Sequence, residues 1–245
     1  MGFLISIVGA GPGDPELLTV KALKRIQEAD CILHDALVSN EILDLAQPGA
    51  QRIYVGKIYE DGQDQSLRQD AINQMIIDLS VKVQKIVRLK SGDPMIFGRG
   101  AEEIRFCIEN NLNYEVIPGV TSALGAASLF GIPLTERGKN SMVLFGTGSY
   151  CEGDFCDLAS FVSVLATGSP VIFFMGLNKL VKLAGRLVDQ GIAPETRVHI
   201  LSKVSQPDSL SFEGTLSTIA WVIETQKPPM PALVIIGQNA EKLTG

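Results

Sequence analysis

Histidine and cysteine are too scarce and too scattered in this 245-residue chain to build a metal centre. There are two histidines, His34 and His199, and four cysteines, Cys31, Cys107, Cys151 and Cys156, with no C-x-x-C pair among them. Zinc and iron sites need several such ligands at short spacings, so metal catalysis is not expected and the thiols are expected to be free. Lysine and arginine are outnumbered by acids, 21 against 27, for a net charge of −6. That balance argues against a nucleic-acid surface, because phosphate backbones are held by clustered cations. No apolar run reaches the roughly 18 residues of a membrane span, and the chain opens in strand pattern rather than in a basic segment with a cleavage site. A cytoplasmic protein is the expectation. Hydrophobic residues make up 46% of the chain, enough for a core in one large domain or two small ones.

A dinucleotide loop is also missing. The stretch Ser6-Ile7-Val8-Gly9-Ala10-Gly11-Pro12-Gly13-Asp14-Pro15 ends an apolar strand in a glycine-rich turn, but G-x-G-x-x-G loops leave helix N-terminal amides free for a pyrophosphate. Here Pro12 and Pro15 remove two donors, and Asp14 places negative charge where phosphate would sit. The turn suits a ligand with an adenosine and no phosphates, such as S-adenosylmethionine.

Short β-rich runs alternate with helical patterns: Phe3 to Val8 and a helix from about Pro15, Cys31 to His34 and Glu41 to Ala46, Arg52 to Val55 and Leu67 to Lys82. This alternation predicts an α/β fold with a largely parallel sheet. Asp14 as N-cap and Pro15 as first helical residue start the first helix, with Leu17, Leu18, Val20, Ala22, Leu23 and Ile26 as its apolar side. Strands follow at Ile86 to Lys90 and Tyr114 to Ile117. A boundary near Pro118 divides the chain into an N-terminal α/β domain over 1–118 and a C-terminal α/β domain over 119–245. The second has a small-residue helix, Thr121 to Leu129, and strands near Met142 to Phe145, Val171 to Phe174, Val198 to Leu201, Ser211 to Thr215 and Ala232 to Ile236. The Gly and polar residues from Thr147 to Ser169 predict a long exposed connection.

Two turns share one build, Gly11-Pro12-Gly13-Asp14-Pro15 and Ser91-Gly92-Asp93-Pro94. Each lies past the carboxyl end of a predicted parallel strand, the edge where open α/β sheets bind ligands. Either alone is an ordinary helix entry; together they indicate one site. Asp35 closes the second strand as a general-base candidate, although strand-end Asp is also a common turn former. Lys57 follows the third strand and offers a positive charge or a proton. In Phe97-Gly98-Arg99-Gly100-Ala101-Glu102, glycines flanking an Arg each weaken a helix by about 1 kcal/mol, which close approach to a ligand would explain. Arg99 and Glu102 share one helix face. Arg137 lies in a loop, where it is suited to grip a carboxylate bidentately.

Seven segments in this order resemble the tetrapyrrole methylase family, and within it the uroporphyrinogen-III C-methyltransferases: 8–19 (VGAGPGDPELLT), 34–39 (HDALVS), 55–57 (VGK), 87–100 (VRLKSGDPMIFGRG), 118–123 (PGVTSA), 131–138 (GIPLTERG) and 174–176 (FMG). The resemblance spans nearly the whole chain. It implies a two-domain α/β enzyme, usually a homodimer, with S-adenosyl-L-methionine in a cleft between the domains and S-adenosyl-L-homocysteine as product. By position it implies cofactor contacts at Pro12, Ser91, Gly92, Asp93, Ile96, Thr121, Ser122, Met175, Val204 and Ala232. Asp35 and Lys57 match a proton acceptor and donor, and Arg99, Glu102 and Arg137 match positions that bind or deprotonate the macrocycle. Ser91 stands where the family usually carries glycine, and Ser149 where histidine is common. The segment after Lys57 lacks the basic residue expected beside the lysine.

The implied reaction is C-methylation of uroporphyrinogen III at C2 and C7 to precorrin-2, toward sirohaem or cobalamin. An electron-rich pyrrole carbon needs chiefly to be positioned against the methyl donor, with a carboxylate such as Glu102 or Asp35 taking the excess proton. The eight carboxylates of that tetrapyrrole substrate would account for Arg52, Lys57, Arg99 and Arg137 in an acidic chain. Three alternatives stay open: another precorrin methylase, an NAD-type oxidoreductase with Asp35 on a ribose, and a non-catalytic binder of the same ligand.

Overall fold

Residues 4–56, 65–148, 157–237 and 239–243 of the protein are described by a computed structural model. The chain divides into two compact units, Met1–Thr121 and Ser122–Gly245.

In the first unit the three central strands are buried along nearly their whole length on both faces, as parallel sheets require, whereas the edge strand over Gln51–Tyr54 is largely exposed. The order along the chain is β1 (Leu4–Gly9), α1 (Val20–Glu28), β2 (Cys31–His34), α2 (Asn40–Leu43), β3 (Gln51–Tyr54), α3 (Gln65–Ser80), β4 (Lys85–Lys90), α4 (Gly100–Glu109) and β5 (Tyr114–Ile117). The sheet runs β3-β2-β4-β1-β5 and every pairing is parallel. One face packs Val8, Ile32, Val87 and Leu89 with Ile26 and Ile42. The other packs Ile5, Ile7, Leu33 and Ile86 with Ile72, Ile76 and Cys107. All five carboxyl ends therefore share one edge, and the loops leaving it carry the candidate residues of this unit.

The single helix expected from Pro15 is in fact two pieces. Asp14 caps only a 3₁₀ turn, Pro15–Leu17, accepting from the Glu16 N–H. Leu18 is extended, and Thr19 caps α1 by accepting from the Ala22 N–H. Leu17 and Leu18 thus lie outside α1, and Val20 faces solvent at 71% exposure. A second good N-cap five residues after the first resets the helix.

The second unit contains α5 (Ser122–Phe130), β6 (Leu144–Thr147), α6 (Leu158–Ala166), β7 (Val171–Phe174), α7 (Leu180–Asp189), β8 (Arg197–Ser202), β9 (Leu210–Thr215), α8 (Ile219–Gln226) and β10 (Ala232–Ile236). Its sheet is mixed: in the order β6-β7-β10-β8-β9 only β6 and β7 pair in parallel. A largely parallel expectation therefore holds for the first sheet alone, because β8 turns directly into β9 without a crossover helix. The exposed connection expected over 147–169 is interrupted by α6, whose Phe161 and Leu165 enter the core with Phe173, Leu183 and Val234. Among the described residues no helix is long and apolar enough to cross a membrane, and no cluster of His, Cys, Asp or Glu could hold a metal ion. Cys31 and Cys107 are buried free thiols; Cys151 and Cys156 lie outside the described residues.

Candidate active site

The loops leaving β1, β4 and β5 are tied to one another at the carboxyl edge of the first sheet. Gly11 and Gly92 exchange two backbone hydrogen bonds (3.2 and 2.8 Å), and Ala10 N–H donates to Lys90 O. Asp93 spends both carboxylate oxygens on the same work: Oδ1 accepts from Met95 N–H (2.8 Å) and Oδ2 from Gly119 N–H (3.0 Å). A methyl group on Gly119 would lie 2.2 Å from Gly92 O, so the glycines here let backbone approach backbone. Gly92 has φ +68, whereas Ser91 is absent from the left-handed region, and its Cβ is accommodated without strain.

The first turn offers little to a phosphate. Gly11 N–H is used on Gly92 O, those of Leu17 and Leu18 on Asp14 O and Pro15 O, and that of Glu16 on the Asp14 carboxylate. Pro12, which is buried, and Pro15 have no N–H to give. With these donors already committed, the turn leaves few amides to hold a pyrophosphate.

Asp35 sits directly beyond β2, its N–H on Leu89 O (3.2 Å) and its side chain 31% exposed. Behind it lies a buried ionic cluster. Arg88 Nη2 donates to Asp35 Oδ1 (2.5 Å), Nε to Glu103 Oε1 (2.9 Å), and Nη1 to the carbonyls of Leu33 and Leu89. Lys90 Nζ donates to the same Glu103 Oε1 (2.9 Å) and stands 3.9 Å from Asp35 Oδ2. Arg88, Lys90 and Glu103 are each at most 3% exposed. Burial pulls the Arg88 guanidinium down, but the charges of Glu103 and Asp35 outweigh it and hold it above its ordinary value. Sequence reasoning passes over Arg88, Lys90 and Glu103. The available signal was two cations alternating along a strand otherwise built for burial, which demands buried counterions.

Arg99 precedes α4 in a left-handed conformation (φ +60) and donates through Nε (3.0 Å) and Nη2 (2.5 Å) to Glu102. Those hydrogen bonds hold the Glu102 carboxyl below the usual range, making it a weak base. The flanking glycines admit the protein's own backbone rather than a ligand: a Cβ on Gly98 or Gly100 would come within 2.8 Å of Pro94 O. Ile96 is half-buried in the same loop, and Thr121, which ends the first unit, is buried. Arg52 does not join this edge; it lies in the first half of β3 and pairs with Asp44 at the end of α2 (2.7 Å). Lys57 and Ser149 lie outside the described residues.

In the second unit, antiparallel register brings three candidates to one edge of the sheet. Met175 follows β7, Ala232 opens β10, and Val204 lies just past β8, where Lys203 N–H bonds Pro231 O (2.8 Å). Met175, Lys203 and Ser205 all have positive φ (49, 50 and 60), a costly conformation for residues with side chains. Ser122 opens α5. Arg137 is exposed in a turn between α5 and β6 that is closed by Asn140 accepting from Glu136 N–H (2.8 Å).

The tetrapyrrole (corrin/porphyrin) methylases match residues 4–220 of the chain. The siroheme synthase of Psychrobacter arcticus is 43% identical over 233 residues, covering 95% of this chain and 42% of that protein. The siroheme synthase of Pseudomonas fluorescens is 39% identical over 96% of this chain and 49% of its own. The chain thus spans about half the length of the curated relatives it matches. Among solved structures, the uroporphyrin-III C-methyl transferase of Thermus thermophilus complexed with S-adenosyl homocysteine gives a TM-score of 0.81 at 35% identity, covering 97% of this chain and 98% of that one. A cobalamin-biosynthetic cobalt-precorrin-4 methyltransferase gives 0.84 over 97% and 96% at 24% identity, a likeness of fold.

Proposed function

The chain belongs to the tetrapyrrole methylase family, and from that premise we propose that it is an S-adenosyl-L-methionine-dependent methyltransferase converting uroporphyrinogen III to precorrin-2 by methylation at C2 and C7. The observation that carries the reading is Asp35: a partly exposed carboxylate at the carboxyl edge of the first sheet, one oxygen anchored by a buried arginine and the other 3.9 Å from the Lys90 ammonium. A named relative in complex with S-adenosyl homocysteine supports the cofactor. The names of the curated relatives favour sirohaem as the destination over cobalamin, and the assembly proposed with the activity is a homodimer.

In the first unit the proposed cofactor contacts are Pro12, Ser91, Gly92, Asp93, Ile96 and Thr121; in the second they are Ser122, Met175, Val204 and Ala232. When bound, S-adenosyl-L-methionine would supply an electrophilic methyl to a pyrrole carbon, leaving a cationic ring and S-adenosyl-L-homocysteine. The protein's part is to position the ring and discharge the resulting cation. Asp35 Oδ2 accepts the one proton lost per methylation, Lys57 is the proposed proton donor, and Arg99 and Arg137 hold macrocycle carboxylates. Glu102, held low by Arg99, orients Arg99 and leaves proton removal to Asp35.

The test is incubation with uroporphyrinogen III and a methyl-labelled donor, followed by the mass of the product. Two methyl groups per macrocycle are expected from the native chain and none from D35N, with S-adenosylhomocysteine binding retained in that variant. Methylation of a later precorrin but not of uroporphyrinogen III would assign the chain to another branch of the family; methylation by D35N would remove Asp35 from its role.

A further inference from the structure

The buried cluster behind Asp35 holds more charge than stability requires. Isolated buried ions cost desolvation that apolar side chains of equal volume avoid, yet two cations and a carboxylate sit at most 3% exposed at this edge. Arg88 cannot turn away: all three of its nitrogens are committed, to Glu103, to two carbonyls and to Asp35. Lys90 is held less tightly, with Glu103 Oε1 as its hydrogen-bond acceptor at 2.9 Å. Asp35 Oδ2 lies 3.9 Å from Nζ, about 1 Å beyond hydrogen-bonding reach. Glu103 Oε2 has no hydrogen-bond partner among the described residues, so this side chain faces the cations through one oxygen.

We propose that Glu103 is a positioning residue for proton removal: by keeping Lys90 on its own Oε1, it prevents that ammonium from closing onto Asp35 and leaves Oδ2 open to receive the proton. The inference rests on the reading of Asp35 as proton acceptor. Without Glu103, Lys90 needs to move only about 1 Å to occupy Oδ2. Asp35 then faces two cations with no second carboxylate between them, which makes it a weaker base.

The titratable and charged groups facing this pair are Arg88 and Lys90 from β4, Glu102 and Cys107 from α4, and His34 of β2, whose Nδ1 lies 3.3 Å from the Asp35 carbonyl. Burial and the charge of Glu103 push the Cys107 thiol up to about 11, so it stays protonated over the working range. Glu102 is paired with Arg99. Apart from Lys90, which K90M/E103Q removes by design, these groups are common to every variant below, and differences between profiles report on Asp35.

The experiment compares native enzyme, D35N, E103Q and K90M/E103Q by circular dichroism and by pH profiles of kcat for methyl transfer to uroporphyrinogen III. In E103Q, kcat should fall about tenfold and the acid limb should move down by about one pH unit, with KM for both substrates within about twofold of native. In K90M/E103Q the tether and the cation leave together, Asp35 again faces one net positive charge, and both kcat and the limb should return toward native values. A folded E103Q with an unmoved acid limb overturns the proposal. So does a folded double variant that recovers neither quantity, which decides the matter where E103Q alone fails to fold; failure of the double variant to fold as well shows a structural role and overturns it too. Retained activity in D35N is the separate result that removes the underlying reading.

Discussion

Arg99 combines a left-handed backbone with a two-point grip on Glu102, an arrangement that fixes where its guanidinium points. On the proposed reading, a macrocycle carboxylate arriving there would meet a planar cation already oriented by a carboxylate behind it. Replacing it by glutamine removes a charge-assisted contact of about 1.5–3 kcal/mol, so R99Q should raise KM for the tetrapyrrole by about tenfold or more while the affinity for S-adenosylhomocysteine holds. An unchanged KM in steady-state assays would remove Arg99 from substrate binding. Asp35, Arg99 and Glu102 were legible as single residues because each follows a strand end or a glycine punctuation. The partners of Asp35 were not. Glu103 lies 15 positions from Arg88 and 13 from Lys90 in sequence, and only the return of the chain from β4 through the loop into α4 brings it back to them. The glycines around Arg99 were legible as close approaches, but whether the approaching atom was ligand or Pro94 carbonyl depended on the fold of the loop.

One polar tie in the first unit links α1 to β5. Glu115 of β5 accepts from Arg25, Lys21 and Ser6 (2.7 Å from Lys21, 2.9 Å from Ser6). Partial burial pushes its carboxyl up, but these three donors outweigh it and hold it at about 2, against an ordinary 4.5. The lowered value means that the ionised form is bound more tightly in the folded state. Its contribution, on the order of 2 kcal/mol for a side chain 18% exposed, is complete above pH 4.5 and is lost as pH falls toward 2. E115Q should therefore be less stable than native by about that amount at pH 7, with the difference shrinking from pH 4.5 to 2 in urea titrations followed by far-UV circular dichroism. A constant difference across that window would assign the loss to packing. Strand positions followed from hydrophobic runs and held to within a residue or two; helix starts did so less well. Asp14 and Thr19 are both good caps, and sequence alone does not say that the chain breaks between them. The apolar spacing Leu158, Phe161, Val162, Leu165 carried the signal for α6, masked by the polar and glycine residues around it.

At the scale of the whole molecule, the α/β class was legible from the alternation of strand and helix patterns, and the two compact units have separate cores. The antiparallel half of the second sheet was not legible, since strand direction depends on whether a connection is a turn or a crossover. Charge raises a further question at this scale, because an acidic chain of −6 is proposed to bind an eight-carboxylate substrate. Arg88 and Lys90 are neutralised by Glu103 and Asp35, Arg52 by Asp44 and Arg99 by Glu102, so attraction would rest on the cations proposed to touch the ligand directly. A charge pair at about 4 Å contributes about 4 kcal/mol at an effective dielectric of ~20, whereas one at about 20 Å in water contributes about 0.2 kcal/mol before screening over a Debye length of ~8 Å. Contact therefore outweighs the net charge, and salt should weaken binding. The KM for uroporphyrinogen III should rise several-fold between about 0.05 and 0.5 M sodium chloride, with a smaller rise in R137Q, which lacks one of those contacts. A KM that falls with salt would show that repulsion by the acidic surface governs association, and the arginines would then have to act after encounter, in orienting the ring rather than in capturing it.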